Sequence, residues 1–536
     1  MIRYIVLLLF FLPFYGFAVV WNVGSARIYK KPSEVAPLVN HGDTIYIDGG
    51  NYLGDVCAWN KNDLKIIGIN GKPHLQANGV SAMGKGIWVL TGNNITVKNV
   101  AFSGARVNDK NGAGIRLEGI GLNIESCYFN DNENGILTGY NGGKIVVLNS
   151  EFAANGDGEG YAHNIYIGGL DTAIIQFNYF HGAKVGHEFK SRARVNYLLY
   201  NRFSNELGGT ASRNVDLPNG GVAILMGNIM EQSAASANNN MIGYGLEGLS
   251  NTAPHALYVI NNTIVNNRGN GSFLDVQSPA FAFKVYNNIF AGAGTPIYIR
   301  GSGATLDSSH NVVSTNIAQV GFVDAATYNY QITAVSPALN TGINAGTGVD
   351  GFSLTPVSMY QHPLQSSIRS IQGNIDIGAF EFYDNTLPVN FGTIAAYLKQ
   401  DNLNVYWTTL QEKNNHFFEV QVSRDGQHFT TLDKVFSKAP DGNANEPINY
   451  IFTGKMDKVV WSVALLLLCC GVLVRSRKRL ALWIAVGLMG VLLYSCSRSA
   501  GNIVDVKQRI FVRIAQIDKS GNAAYSKIIE VARPDQ

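Results

Sequence analysis

Apolar and polar residues alternate in short stretches along much of the chain, which predicts β-strands rather than helices. From residue 178 onward, stretches such as AIIQFNYF and FKVYNNIF end in an Asn followed two positions later by an apolar residue. The phrase recurs at Asn178, Asn201, Asn228, Asn262, Asn288 and Asn311, with gaps of 23, 27, 34, 26 and 23 residues. A period in the twenties built from strands and turns is typical of a β-solenoid, and an all-β fold is predicted.

The repeated Asn has a physical reason in a stack of parallel coils. Each residue lies about 4.8 Å above its counterpart, so an Asn at a turn can bond to the Asn above and below it. Asn also tolerates the left-handed backbone of a tight turn, and the apolar residue two positions later is expected in the solenoid interior. Looser phrases, NVAF from Asn99 and NSEF from Asn149, extend the repeat towards the N-terminus.

These features resemble the right-handed parallel β-helix, or pectate-lyase-like, proteins of bacteria. GDTIYIDGGNY and LKIIGINGKPHL are similar to their first coils, while YQITAVSPALNTG and GNIDIGAFEF are similar to the segment that ends such domains. The resemblance implies a β-helix over residues 19–385. It does not imply one activity, because the fold hosts lyases, hydrolases, epimerases and adhesins.

A second domain is predicted after the repeat stops. Alternating strands and an Asp425-Gly426 hairpin signal occupy residues 386–455, and further strands occupy residues 503–532. Together they resemble the immunoglobulin- or fibronectin-type sandwich that closes many Bacteroidetes exported proteins. The two parts are separated by an apolar insertion, residues 456–497.

Two apolar regions predict export and a membrane anchor. Residues 1–18 have Arg3, an apolar run and small residues before a plausible cleavage point, which is typical of a signal peptide. Residues 459–474 and 480–494 are uncharged and flank a basic loop from Arg475 to Arg479. We expect a two-helix hairpin contacting membrane lipid, with that loop cytoplasmic and both domains periplasmic or extracellular. The alternatives are an uncleaved N-terminal anchor, a hairpin buried in a protein core, and lipidation at Cys496.

Overall charge excludes little by itself. A formal net charge of +3 gives no global argument for nucleic acid, and basic residues are not interleaved with aromatics in a stripe. The charged residues are only 15% of the chain, yet residues 186–203, GHEFKSRARVNYLLYNRF, hold three Arg, a Lys, a Glu and a His. This run is the candidate site.

Aligning the Asn phrases stacks this run on its neighbouring coils. The alignment places Tyr166, Lys190 and Asp216 in one row, and it places His163, His187 and Arg213 in another. Strand alternation predicts that the first row faces solvent, together with Asn164 and Glu188. Tyr244 and Glu247 of the next coil are expected on the same face or its rim.

Such a face suits an acidic polysaccharide. β-Elimination needs the uronate carboxylate neutralised, a base for the α-proton and an acid for the leaving oxygen. The candidates for catalysis are Lys190, Tyr166, Asp216, His187 and Arg213, and those for substrate binding are Arg192, Arg194, Asn164, His163, Tyr244 and Glu247. Glu188, Asp216 and Asn219 could hold Ca²⁺, the one cofactor considered. A glycoside hydrolase would instead pair Asp216 with Glu188 or Glu247.

The run also resembles the alginate lyase and chondroitinase B family, polysaccharide lyase family six. Lys190-Ser191 and the phrase from Tyr200 to Phe203 match a Lys-Ser pair that opens a strand ending in Tyr-Asn-x-Phe. The resemblance implies Lys190 as base and Arg213 as acid, although ASRNVDLPNGG lacks the Arg-His-Gly context of that family.

The alternatives to catalysis are a surface that binds a cell-surface glycan or a partner without turnover, and ordinary structural roles. In the structural interpretation, His163 and His187 are hydrogen-bonded core or turn residues, Arg202 is a solvated side chain, and Lys190 forms a cross-coil ion pair.

Overall fold

The computed structural model describes residues 18–278, 281–371, 373–383, 389–399, 402–455, 509–519, 521 and 523–532. These residues fall into two compact units, one ending at Tyr383 and one following it. The predicted signal peptide, apart from Ala18, the membrane hairpin, the Arg475 to Arg479 loop and Cys496 lie outside the described residues. No helix among the described residues is long and apolar enough to cross a membrane.

The first unit is a parallel β-solenoid, as the Asn repeat predicts, and its handedness stays a prediction. Each coil contributes one short strand to each of three ladders. Ladder 1 consists of Cys57–Trp59, Gly86–Leu90, Ala113–Leu117, Asn134–Thr138, Ile165–Ile167, Phe189–Ser191, Val215–Leu217, Asn240–Tyr244, Ser272–Gln277 and Thr295–Arg300.

Ladders 2 and 3 form one 21-stranded sheet because two long early strands belong to both. Ladder 2 consists of Val20–Val23, Thr44–Leu53, Lys65–Gln76, Ile95–Lys98, Leu122–Glu125, Lys144–Leu148, Thr172–Gln176, Val195–Leu199, Val222–Met226, Ala256–Ile260, Ala282–Tyr286 and Thr305–Ser309. Ladder 3 adds Ala101–Ser103, Tyr128–Asn130, Glu151–Ala153, Tyr179–His181, Arg202–Ser204, Ile229–Gln232, Thr263–Asn266, Ile289–Gly292 and Val312–Ser314.

The repeated Asn residues form a buried hydrogen-bonded column at the corner between ladders 2 and 3. The backbone N–H and the side-chain amide of Asn201 both donate to Asn228 Oδ1, at 2.9 and 3.1 Å. Asn228 bonds to Asn262 in the same way, at 2.9 Å for both contacts, and its amide also donates to Leu198 O at 2.8 Å. The column therefore ties each coil to the next through side chains as well as through strand pairing.

Two details of the Asn prediction were wrong. The left-handed backbone belongs to the residue before each column Asn, for example Tyr200 with φ 56° and Asn261 with φ 51°. Asn99 and Asn149 have φ 57° and 47°, so they occupy that preceding position. Ser150 takes the column position and its N–H donates to Asn178 Oδ1 at 2.9 Å.

The apolar residue two positions after each column position, whether that position holds Asn, Ser150 or Cys127, lines the interior in most coils, as predicted. Phe129, Phe152, Phe180 and Phe203 stack with ring centroids 4.7–5.0 Å apart and nearly parallel planes. Offset aromatic stacking adds about 0.5–1.5 kcal/mol per pair to the burial of the rings. Val313, in the last coil, is exposed because no further coil covers it.

Residues 317–383, here called the capping segment, pack on the outer faces of ladders 2 and 3. Their apolar side chains share one core with outward residues of ladder 3, including Tyr179 and Ile289, and another with outward residues of ladder 2, including Tyr258. The segment holds the 3-10 turns Ile317–Val320, Ala325–Thr327 and Val349–Gly351 and the strands Phe322–Asp324, Asn329–Ile332, Ser358–Gln361 and Gln365–Ile368. These contacts leave the outer face of ladder 1 open.

A buried ion pair fixes the end of the capping segment. Arg369 Nε lies 2.9 Å from Glu381 Oε2, and both side chains are almost fully buried. Arg369 also donates to the carbonyl oxygens of Asp376, Gly378 and Phe380. The sequence GNIDIGAFEF therefore folds around one guanidinium.

The second unit consists of antiparallel strands around its own core, which includes Trp407 and Phe418. One sheet contains Val389–Lys399, Asn402–Glu412 and Ile448–Lys455. The other contains Asn415–Ser423, Thr430–Phe436, Phe511–Asp518, Ala523–Tyr525 and Ile529–Glu530, and a 3-10 turn spans Pro440–Gly442. The strands before and after the apolar insertion thus pair with each other, while the immunoglobulin-type assignment and the domain boundaries stay predictions. The remaining helix, Pro32–Val35, is in the first unit.

Replacing Asn228 by Ala should destabilise the first unit by about 3 kcal/mol or more, since several buried donors and acceptors lose their partners. Urea unfolding followed by circular dichroism measures the change. The exposed Asn108→Ala variant is the control and should stay within about 0.5 kcal/mol of wild type. Equal, small effects of both substitutions would contradict a stabilising column.

Arg369→Met should lower the free energy of unfolding by about 3–5 kcal/mol, because it leaves the Glu381 carboxylate buried without its partner. The half-exposed pair of Lys98 and Glu125 provides the comparison, and Lys98→Met should cost about 0–1 kcal/mol. Thermal unfolding of the two variants measures the difference.

Candidate functional site

The strand register places Tyr166 beside Lys190 and Lys190 beside Asp216 on ladder 1. This is the pairing that the alignment of the Asn phrases predicts. The alternate residues, such as Phe189 and Val215, are fully buried in the solenoid interior. The row therefore lies on the face of ladder 1 that the capping segment leaves open.

Lys190 is the centre of the row. Its Nζ lies 3.2 Å from Glu247 Oε1 and 3.6 Å from Asp216 Oδ2. The same ammonium group lies 5.5 Å from the centroid of the Tyr166 ring. Only 12% of the Lys190 side chain is exposed, so one largely shielded amine contacts two carboxylates and a phenol.

Arg192 connects the Tyr166 hydroxyl to the rim of the site. Its Nε donates to the Tyr166 hydroxyl at 2.8 Å, and its terminal nitrogens donate to Asn219 Oδ1 at 2.6 Å and Glu247 Oε2 at 2.5 Å. Partial burial raises the pKa of Glu247, but Arg192 and Lys190 outweigh it and hold that pKa below its usual value. Glu247 thus stays ionised between two cations.

Glu247 reaches this position because its coil is longer than the others. Residues 245–255 form an extra loop between ladders 1 and 2 and account for the 34-residue gap in the Asn repeat. The loop folds back over the preceding coil, with the Glu247 N–H donating to Pro218 O at 3.1 Å and the Asn251 N–H donating to Asn219 O at 3.1 Å.

Asp216 lies under the other polar groups and is only 1% exposed, so the prediction that it faces solvent is wrong. It accepts from Arg213 Nη1 at 3.2 Å, and His187 Nε2 lies 3.5 Å away. Burial raises the pKa of Asp216, while Arg213 and Lys190 lower it. Gly243 follows Asp216 in the row, and a Cβ atom there would lie 2.9 Å from Asp216 Oδ1, so only glycine leaves the carboxylate its space.

Arg213 joins the site despite its position in a different row. It lies outside the strand, and its side chain reaches Asp216 while its Nε donates to Asn240 Oδ1 at 2.7 Å. Counting alternate positions along the chain puts Arg213 and Lys190 on opposite faces of the ladder. Side chains alternate between faces only within a strand, however, and Arg213 lies beyond the end of one.

The two histidines stack under the row. The rings of His163 and His187 lie 4.8 Å apart and parallel, and the His187 N–H donates to His163 Nδ1 at 3.0 Å. Burial lowers the pKa of His163 to about 3 and lowers that of His187 well below its usual value. Both are therefore neutral at pH 7, and His163 has no exposed edge with which to bind substrate.

Asn164 and Glu188 do not face solvent, which corrects the sequence interpretation. Both are fully buried, and the Asn164 amide donates to the Glu188 carboxylate. Asn164 Oδ1 accepts from the Asn155 amide at 2.8 Å, and the Asn132 amide donates to Asn155 Oδ1 at 3.0 Å. These residues form a second internal column at the corner before ladder 1, where strand alternation has not yet begun. Asn164 is thus not a substrate contact, and Glu188 cannot pair with Asp216 in a hydrolase.

Tyr244 and Arg194 also lie outside the site. Tyr244 is fully buried in the solenoid core, where its hydroxyl donates to Gly221 O at 2.6 Å and its ring contacts Phe281. Its strand position alternates inward with Leu217, its register partner. Arg194 follows the corner after Ser191, and the contacts of the row do not include it.

The Ca²⁺ donors suggested by the sequence do not converge. Glu188 bonds inside the solenoid to Asn164 and to the N–H of Ala183, whereas Asn219 Oδ1 accepts from Arg192 at the rim. Within the described ranges, no group of three or more His, Cys, Asp or Glu side chains could hold a metal ion. This donor set does not fit Ca²⁺.

Two neighbouring groups were missed by sequence reasoning. The Tyr140 hydroxyl lies 3.4 Å from the Tyr166 hydroxyl, and Tyr140 is 65% exposed. On the other side, the Asn240 amide donates to Asp275 Oδ2 at 2.6 Å, and Arg300 pairs with the same carboxylate at 2.7 Å. Extending the alignment by one coil before and three coils after the central three would have brought in the coils that carry both groups.

Comparison with known proteins gives a weak structural likeness. A solved structure of an alanine-substituted variant of PL6 family alginate lyase AlyGC matches at 13% identity and a TM-score of 0.21. The match covers 69% of this chain and only 60% of that one, so this chain spans well under the whole length of the lyase. No protein-family model and no curated protein matches the sequence.

Glu188 gives the protein a specific pH dependence. Burial raises its pKa from 4.5 to about 8, so between these values the folded protein keeps a proton that the unfolded chain releases. The free energy of unfolding should fall as pH rises through this window, and the fall should be shallower in Glu188→Gln. Denaturant unfolding at half-unit pH steps measures the slope, with the variant Glu125→Gln, at a half-exposed glutamate, expected to keep the wild-type slope.

Proposed function

We propose that the protein is an exported enzyme that acts on an acidic polysaccharide by β-elimination. The observation that carries this proposal is the row of Tyr166, Lys190 and Asp216 on the uncovered face of ladder 1. A long, open face built from successive coils suits a linear polymer better than a small molecule, which would need an enclosed cavity.

The charge of the face suits a polyanion. The three cations Lys190, Arg192 and Arg213 outnumber the two carboxylates Asp216 and Glu247, which leaves a net charge of one positive. Since both histidines are neutral, they do not change this sum. Arg192 and Arg213 have the planar fork that binds a uronate carboxylate and neutralises it, which acidifies the α-proton.

The proton transfers follow from the positions around Lys190. The ammonium group of Lys190 must first lose a proton to solvent before it can act as a base. The amine then takes the proton from the carbon next to the carboxylate, and the C–H electron pair forms a C=C bond as the C–O bond at the next carbon breaks. Tyr166 then donates its hydroxyl proton to the leaving oxygen. Its phenol oxygen already accepts from Arg192 Nε at 2.8 Å, and this bond stabilises the phenolate that remains. We favour Tyr166 over Arg213 as the acid because a guanidinium gives up its proton with great difficulty.

A second candidate function is glycan binding without turnover. Its support is that the cations are already paired: Lys190 contacts two carboxylates, and Arg192 donates to three different side chains. A surface whose charges hold one another in place can bind hydroxyl and carboxylate groups without a free base.

We also propose that the protein is exported and held at a membrane. The support is the signal-like sequence of residues 1–18 and the apolar pair within residues 456–497. In this arrangement both described units lie outside the cytoplasm, where polysaccharide substrates occur.

Incubating the full chain with alginate, pectate and glycosaminoglycans should give products that absorb ultraviolet light, because each elimination creates a C=C bond conjugated with a carboxylate. Lys190→Ala should lower the rate at least about 100-fold, since it removes the base. Lys144→Ala, at an exposed lysine of ladder 2, is the matched control and should keep the wild-type rate.

The other outcomes separate the alternatives. New reducing ends without absorbance would indicate hydrolysis and overturn the elimination. Retention on the glycans without any product would favour binding alone. Full activity in Lys190→Ala would remove Lys190 from the mechanism.

A further inference from the structure

The row on ladder 1 continues beyond Tyr166 towards the N-terminal coils and reaches a second group of cations. The strand register places Leu137 beside Tyr166 and Arg116 beside Leu137. Three steps of the ladder therefore separate Arg116 from Lys190, which is roughly 14 Å. The two residues between them in the row carry no carboxylate that would repel a polyanion.

A shared carboxylate holds Arg116 and Lys85 together on this face. Arg116 Nε lies 2.9 Å from Glu118 Oε1, and Lys85 Nζ lies 2.6 Å from the same oxygen. Partial burial raises the pKa of Glu118, but Lys85 and Arg116 outweigh it and hold that pKa below its usual value. Glu118 is therefore ionised at pH 7. The group of Lys85, Arg116 and Glu118, here called the upstream triad, has a net charge of one positive.

Both cations of the upstream triad keep hydrogen-bond donors that are free for a ligand. Within the described part of the chain, Arg116 donates only through Nε, and Lys85 donates only to Glu118. The Nη1 and Nη2 atoms of Arg116 and the Nζ atom of Lys85 are not among the fully buried atoms that lack a partner, and 18% and 39% of the two side chains are exposed. Arg116 therefore presents the planar fork that binds a carboxylate through two parallel hydrogen bonds.

Tyr140 lies between the upstream triad and the row around Lys190. It follows the strand Asn134–Thr138, on the coil between those of Arg116 and Tyr166, and it is 65% exposed. Its hydroxyl lies 3.4 Å from that of Tyr166. An exposed aromatic ring at this place can pack against the C–H face of a sugar that lies between the two groups of cations.

The row continues in the opposite direction with a neutral pair. Gly243 follows Asp216, and Asp275 follows Gly243. Arg300 donates to both oxygens of Asp275, from Nε and Nη2 at 2.7 Å each, so the charges of this pair cancel. The charge pattern therefore favours the N-terminal direction for the part of a polyanion that extends away from Lys190.

We propose that the upstream triad is a distal binding site for the same acidic polysaccharide. A uronate unit roughly three sugars away from the one at Lys190 places its carboxylate on Arg116 Nη1 and Nη2 and on Lys85 Nζ, and an intervening sugar packs on Tyr140. One pyranose with its glycosidic bond is about as long as one step of the ladder, so a linear uronan can follow the coils. The inference rests on the proposed acidic polysaccharide but not on its elimination, since binding alone would use the same cations.

Titration calorimetry with oligosaccharides of defined length tests the distal site. The full-length Tyr166→Phe variant is used, because it lacks the proposed acid and keeps every charge. The probes are the disaccharides and hexasaccharides of alginate and of pectate. The hexasaccharide of at least one polymer should bind at least about tenfold more tightly than its disaccharide, because only the longer chain reaches from Lys190 to Arg116.

Substitutions in the upstream triad should change this affinity in opposite directions. Arg116→Gln, added to the same background, should weaken hexasaccharide binding about tenfold and leave disaccharide binding unchanged. Lys85→Gln should act in the same direction. Glu118→Gln should tighten hexasaccharide binding severalfold, because it removes the competing carboxylate and releases both cations. A triad with a purely structural role would instead lose affinity in all three variants.

Two controls separate a site from general charge attraction. Lys144→Gln removes one positive charge from an exposed position of ladder 2, on the coil that carries Tyr140, and should leave both affinities unchanged. Cellohexaose has the length of the hexasaccharides without their carboxylates, and it should bind at least about tenfold more weakly.

The outcomes distinguish this inference from the proposed elimination. The distal site is refuted if neither hexasaccharide binds, if disaccharide and hexasaccharide bind equally, if cellohexaose binds as tightly, if Lys144→Gln weakens binding as much as Arg116→Gln, or if Glu118→Gln weakens it. Ultraviolet absorbance of the wild-type products judges the elimination separately. Length-dependent binding without absorbance would refute the elimination and support the distal site, and absorbance with hexasaccharide binding unaffected by Arg116→Gln would do the reverse.

Discussion

The amide column that runs through Asn178, Asn201, Asn228, Asn262 and Asn288 fixes the register of the solenoid. Each column residue after Asn178 accepts two hydrogen bonds from the coil before it and donates to the coil after it, so a coil cannot slip by one residue without leaving buried amides unsatisfied. A slip of one residue would also move the inward-facing side chains of each strand in that coil to the outer face. The row on ladder 1 thus depends on hydrogen bonds made at a corner some distance away.

The capping segment decides which of the three faces remains available. It carries apolar residues that complete cores on ladders 2 and 3, where outward residues such as Tyr258 and Ile289 are apolar. Ladder 1 presents Arg116, Lys190, Asp216 and Asp275 outward, so covering it with apolar side chains would leave these charges without water. The division of the surface into covered and uncovered faces follows from the side chains that each ladder presents outward.

Sequence reasoning placed residues correctly within the strands, where the repeat sets the spacing, and incorrectly at the corners between strands. The register of Tyr166, Lys190 and Asp216 could be found by counting from the column Asn, because parallel strands preserve spacing. Asn164 and Glu188 could not be placed in this way, because they precede their strands and turn inward to an amide network. Tyr244 was misplaced because its strand position alternates into the core. No local pattern reveals that the capping segment would bury Arg202, since that contact joins residues more than a hundred positions apart.

The loop of residues 245–255 has a consequence for how such a protein can diversify. It leaves the strand pairing on both sides undisturbed, with Asp216 still opposite Gly243 and Leu225 still opposite Val259. Segments at this corner can therefore be lengthened, shortened or exchanged in a lineage while the scaffold beneath them is inherited unchanged. Because Glu247 arrives from such a segment, the side chains around Lys190 can change by grafting at the corner, without any renewed search for a stable fold.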